Sequence, residues 1–212
     1  MNNRHVYIAI EGVIGVGKTT LARLLKPTFD AKVLLEVFEE NPFLARFYQD
    51  RERFAFQTQT FFLLSRYQQQ HEAIPGALAL QNLISDYTFD KNKIFARLTL
   101  SGDELEMYER VQDILGGRIP KPDLVVFLRA RVEHLMERIA IRDRSYERTM
   151  DSQYIAALAQ AYDAYFTTYV SSPVLKVETD ELDYVHNRAA LEQVAEMIRA
   201  KLMAGPVQER LL

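Results

Sequence analysis

The sequence predicts an α/β fold: a five-stranded parallel sheet with helices on both faces and an arginine-rich lid. Three observations carry that expectation. Short apolar runs alternate with longer stretches of helical spacing. A glycine-rich signature, G-x-x-x-x-G-K-[ST], joins the first apolar run to the first helical stretch at residues 12–19. A segment at 140–150 gathers charge, with arginines dense in and just before it, between two amphipathic stretches.

The strands come first. Residues 6–10 form a continuous apolar run ended by Glu-Gly, which suits a strand buried on both faces. Residues 32–37, 83–87, 123–128 and 174–177 repeat the pattern, and DLVVFL at 123–128 is its clearest instance. Helical spacing is found over 18–25, where Leu21, Leu24 and Leu25 share a side, and over 54–70, where Phe54, Phe61, Phe62, Leu64 and Tyr67 recur. Pro75-Gly76 follows as a stop signal. Further helices are expected near 103–115, 132–141, 152–170 and 187–202. Gly116-Gly117 with Pro120 and Pro122 reads as a loop, and no repeat or linker divides the chain, so residues 1–212 are expected to form one domain with a lid at about 140–150.

Composition narrows the function classes. The 212 residues, 48% of hydrophobic type, suffice for one good core, and a net charge of −3 marks neither a nucleic-acid nor a membrane-surface binder. Cysteine is absent, which removes disulfides and thiolate metal sites and fits a reducing cytoplasm. The N-terminus shows no leader pattern and no window is apolar enough for a membrane span, so the expectation is a soluble cytoplasmic protein. The four histidines, His5, His71, His134 and His186, have no metal spacing.

Residues 12–19 match the phosphate-loop signature at every fixed position, and a chance match in ~200 residues of average composition is expected in about one chain in a hundred. Glycines at 12, 15 and 17 let successive N–H groups, including that of Val16, point inward at phosphate oxygens. The following helix, opening at Lys18, Thr19 and Thr20, adds its positive end. Lys18 offers a point charge to the β- and γ-phosphates and Thr19 a hydroxyl ligand to Mg²⁺. The loop therefore calls for a nucleoside triphosphate and a P-loop kinase type of fold, without naming the acceptor.

Carboxylates at the second strand end, Glu36, Glu39 and Glu40, could each take a proton from an alcohol nucleophile in the crevice beside the loop. Here the chain resembles the deoxynucleoside kinases over nearly its whole length. LLEVFEENPFLARFY is similar to the family's segment around its general base, and the register favours Glu36. Tyr48 and Gln59 stand eleven apart, as do the family's sugar-binding tyrosine and base-binding glutamine, and Arg66 follows Gln59 by seven. Gln57 is a rival with the wrong spacing to Arg66. The resemblance implies that Tyr48 and Glu147 bind the 3′-hydroxyl, that Gln59 reads the base edge, and that Arg138, Arg142 and Arg144 are lid arginines for the transferring phosphoryl group.

Asp86-Tyr87-Thr88 stands where many members carry an acid followed by Arg-Ser. Asp86 keeps the acid, able to serve Mg²⁺, whereas Tyr87 removes a cation, and Asn92 replaces an aspartate that faces the base. Both departures are similar to the bacterial deoxyguanosine/deoxyadenosine kinase branch, which implies a purine deoxynucleoside as acceptor, ATP or another NTP as donor, Mg²⁺, and a homodimer. The alternatives are a thymidylate-kinase-like monophosphate kinase, which would want a basic strand end where this one is acidic, and a catalytically silent accessory subunit, which would have no need to keep Lys18 and Glu36.

Overall fold

The computed structural model describes residues 4–205; the start of the N-terminal segment and the end of the chain lie outside them. The five expected strands are present as β1 (Tyr7–Gly12), β2 (Ala31–Leu34), β3 (Asn82–Ser85), β4 (Leu124–Arg129) and β5 (Val174–Glu178). All pair in parallel in the order β2-β3-β1-β4-β5. Every residue of β1 is buried, on both alternating faces. That is the consequence of parallel pairing, because each crossover lays a helix over one face or the other.

The helices are α1 (Lys18–Leu25), α2 (Leu44–Gln49), α3 (Arg51–Leu78), α4 (Lys91–Thr99), α5 (Gly102–Gly116), α6 (Val132–Arg142), α7 (Ser152–Thr167) and α8 (Arg188–Met203), with a 3-10 turn at Ser145–Glu147. No described helix is long and apolar enough to cross a membrane. Aromatic stacking seats α7 against the sheet: Phe127 of β4 lies 4.6 Å from Phe166 and 6.2 Å from Tyr162, centroid to centroid. Burying each such ring contributes about 1.5–3 kcal/mol.

Three departures from expectation have physical causes. The stop at Pro75 does not end α3, because Ile74 and Ala77 are buried and hold the last turn in place, and Ala79 N–H still reaches the Pro75 carbonyl. A proline this close to the C-terminus forfeits a single helical bond. The short helices α2 and α4 carry little periodicity, and unlike the equally short α1 neither follows a motif that announces a helix. Finally, β2 ends at Leu34, so Glu36 stands just past the strand on an irregular segment, where the Asp86 carboxylate accepts its backbone N–H at 2.8 Å.

Candidate active site

The chain turns from β1 into α1 through Gly12 and Gly17, both at positive φ, 144° and 102°. A Cβ at Gly12 would collide with the Leu128 carbonyl oxygen of β4, and one at Gly17 with the Tyr184 hydroxyl. Glycine is required here by neighbours as well as by backbone angle. Lys18 opens α1 and folds back over the loop, its ammonium donating to the carbonyls of Gly12 (2.7 Å) and Val13 (2.9 Å). Val16 is buried beneath the loop and Thr20 faces solvent on α1.

Gly15, Lys18 and Thr19 form one wall of a solvent-connected cavity. Glu36 and Asp86 line it from the strand ends, Tyr48 from α2, Gln59, Phe62 and Arg66 from α3, Lys91 from α4, and Arg142, Arg144, Tyr146 and Glu147 from the lid segment. Lys18 and Glu36 thus open into one space. Thr19 and Asp86, expected to share a metal, touch: the hydroxyl donates to Asp86 Oδ2 at 2.5 Å while Asp86 Oδ1 takes the Glu36 amide.

Glu36 is held from both oxygens. Arg66 donates to its Oε1 from Nε at 2.7 Å and approaches from Nη2 at 2.5 Å, and Lys91 donates to Oε2 at 2.6 Å. Burial alone would push this carboxyl up, but the two cations outweigh it and hold the group well below the usual carboxylate range. Lys18 is pushed down to about 8, first by burial and next by Lys91, against the pull of Glu11, Asp86 and Glu36. Glu11 is fully buried behind the loop, where it accepts from the Thr88 amide at 2.6 Å and the Thr88 hydroxyl at 2.9 Å; burial raises its carboxyl.

Outside the phosphate loop, two expected residues do not line the cavity. Arg138 lies behind the loop, donating to the Thr179 carbonyl at 2.9 Å and the Thr179 hydroxyl at 3.1 Å, and it brushes the Val16 carbonyl at 3.4 Å. Its place on α6 fastens the end of β5 to the phosphate loop. Asn92 is fully buried and accepts from Arg66 Nη1 at 2.5 Å, so its carbonyl faces an arginine and not a ligand. The donors of Arg66 are in turn taken up by Glu36 and Asn92, which makes it the anchor of the carboxylate. Arg142 and Arg144 do line the cavity, and both converge on Glu147, Arg142 by a fork at 2.6–3.1 Å and Arg144 at 3.5 Å. Tyr48 stacks on Tyr146 with centroids 6.0 Å apart.

The sequence reading passed over Lys91, Glu11 and Tyr146. Lys91 could have been found from its spacing, because it opens a short amphipathic turn soon after Asp86 in DYTFDK. Glu11 looked like the polar end of a strand, and no signal in the sequence reveals that its oxygens turn inward.

Comparison with known proteins decides what this arrangement belongs to. The deoxynucleoside kinase family profile matches residues 8–203. The chain belongs to the deoxynucleoside kinase family. Its relatives include a deoxyguanosine kinase of Bacillus subtilis (strain 168), 35% identical over 93% of this chain and 98% of the relative. A deoxyadenosine kinase of Dictyostelium discoideum is 30% identical over 92% of this chain and 78% of the relative. Among solved structures, a deoxyadenosine kinase from M. mycoides with bound dATP superposes with a TM-score of 0.79 at 23% identity, covering 92% of this chain and all of the other, which shows the fold. As a deoxynucleoside kinase the chain is a phosphotransferase acting on the 5′-hydroxyl of a nucleoside. The family match sets aside the monophosphate-kinase alternative.

Proposed function

We propose that the chain phosphorylates a purine deoxynucleoside, deoxyguanosine or deoxyadenosine, from ATP and Mg²⁺, as one P-loop unit with residues 140–150 as its lid. The observation that carries the reading is a single cavity holding the phosphate-loop lysine, a fixed carboxylate and the side chains of Tyr48 and Gln59. The purine direction is supported by relatives named deoxyguanosine and deoxyadenosine kinase, and by the Gln59 amide, which offers a base edge both an acceptor and donors.

In this reading the polyphosphate lies along the loop amides and Lys18. Tyr48 and Glu147 hold the sugar, and Glu36 takes the 5′-hydroxyl proton. Arg142 and Arg144 bring charge to the phosphoryl group from the lid. The transition state of such transfers is loose, so the hydroxyl becomes strongly acidic only late, and a carboxylate as stabilised as Glu36 still suffices as acceptor. The adjoining Thr19 hydroxyl and Asp86 carboxylate are hard oxygen donors that fit Mg²⁺, directly or through water. When bound, the ion would neutralise polyphosphate charge.

Leu64 on α3 and Met107 and Ile114 on α5 are at least half exposed, an apolar face that supports a homodimer through these helices. Cytoplasmic residence belongs to the same proposal. Assays with Mg·ATP and the four deoxynucleosides test the assignment: deoxyguanosine or deoxyadenosine is expected to exceed both pyrimidines at least about tenfold in kcat/KM, a margin set by leaving base-reading groups unpaired. A pyrimidine preference would overturn it.

Lys18 supplies a second measurement. With Lys18 pushed down to about 8, part of the free enzyme is expected to lack its proton at pH 8, and a polyphosphate restores it. ATP binding is therefore expected to take up a fraction of a proton at pH 8 and almost none at pH 6.5. Calorimetry in buffers of different ionisation enthalpy reads this directly, and equal heats at pH 8 would contradict it. For stability the sign is opposite to the usual ion-paired lysine. Between pH 8 and the ordinary lysine value of about 10.4 the unfolded chain holds the extra proton, so the contribution of Lys18 rises with pH across that window.

A further inference from the structure

Lys91 opens α4 as a buried cation, its residue 6% exposed, with its ammonium 2.6 Å from Glu36 Oε2. Arg66 already grips the other oxygen, Oε1, with a planar fork and is itself fixed by Asn92. An ammonium carries three donors. Among the described residues Glu36 Oε2 is its hydrogen-bond acceptor, and the side chain borders the cavity together with Lys18 and Asp86. Its two other N–H donors have no hydrogen-bond acceptor among the described residues, and the ammonium also lies 5.6 Å from the centroid of the Phe95 ring. Tyr87 supplies no charge there, since it is fully buried with its phenol on Gln69. Enclosing a positive charge costs several kcal/mol unless it is met. The Lys91 charge is met by Glu36, but Arg66 by itself already orients that carboxylate, so the second cation is available to a group that arrives beside it.

We infer that Lys91 is a catalytic residue, whose ammonium contacts the acceptor 5′-oxygen and the transferring phosphoryl group. The inference rests on the deoxynucleoside kinase reading and deepens it. In the step concerned the 5′-oxygen forms a bond to the γ-phosphorus as the bond from that phosphorus to the bridging oxygen breaks. The bond pair leaves with ADP, and the hydroxyl proton passes to Glu36. Lys91 keeps all three protons throughout and meets the charge on the phosphoryl oxygens together with Lys18, which borders the same cavity.

Three variants separate this from a plain counter-ion. Lys91→Gln keeps a donor for Oε2 without the charge, Lys91→Met keeps neither, and Lys91→Arg keeps the charge. With deoxyguanosine and deoxyadenosine as acceptors, Gln and Met are expected to lower kcat about 100-fold, the scale of losing one fixed transition-state donor. Arg should stay within about tenfold of wild type, and KM for ATP within about threefold in all. Melting curves confirm folding, and should Met fail to fold, Gln and Arg carry the comparison. Lys91→Gln with wild-type kcat would overturn the inference while leaving the kinase assignment standing. Wild-type enzyme inactive on all four deoxynucleosides would remove that assignment, and this inference with it.

Discussion

Glu36→Gln is expected to lower kcat by about 10²–10⁴-fold, the range of a lost general base. The amide is isosteric, so nucleoside KM should change little. The same change leaves Arg66 and Lys91 facing a neutral group, and stripping the partner from a buried pair costs about 3–5 kcal/mol. The melting temperature should therefore fall as well, and kcat must be read well below the new transition. Because Arg66 and Lys91 hold the Glu36 carboxyl so low, against its burial, it is ionised wherever the protein is assayed. The stabilisation it gives is present above the unfolded value of about 4.3 and is lost as pH falls through the lower folded one. An acid limb in kcat between pH 5 and 7 therefore belongs to another group. A Gln variant retaining more than a tenth of wild-type kcat would assign the proton to a different acceptor.

Lys18→Met is expected to reduce kcat/KM for ATP by about 10²–10³-fold, the loss of one preorganised charge on the developing phosphoryl anion. Lys18→Arg should recover little, because a flat guanidinium cannot reproduce a compact ammonium set between the Gly12 and Val13 carbonyls. Steady-state kinetics with varied ATP test both. An Arg variant within tenfold of wild type would show that charge alone, and not this geometry, is what the loop demands.

The sheet was legible in the sequence because a parallel strand buried on both faces leaves an unbroken apolar run, as at residues 7–10 and 124–128. The phosphate loop was legible because its glycines are forced by contacts with Leu128 and Tyr184 that no other residue allows. The helix α4, with no motif ahead of it, was not, and Lys91 was legible only through its closeness to Asp86 in DYTFDK. Side-chain partners are harder still. Arg138 and Arg142 share a face of α6, yet one turns behind the loop to Thr179 and the other into the cavity to Glu147. Spacing along a helix fixes the side a residue occupies, and packing decides what it touches there. For the same reason Asn92 kept its place in the sequence pattern while its carbonyl went to Arg66.

Asp86 has one oxygen on the Thr19 hydroxyl and the other on the Glu36 amide. A single rigid carboxylate thereby bolts the donor half of the crevice to the acceptor half. Any ligand that tugs Thr19 is felt at Glu36, and linkage makes the effect mutual: the factor by which nucleotide tightens nucleoside must equal the factor by which nucleoside tightens nucleotide. Asp86→Ala, which removes both contacts, is expected to bring the two affinities toward independence, and titrating each ligand with and without the other measures it.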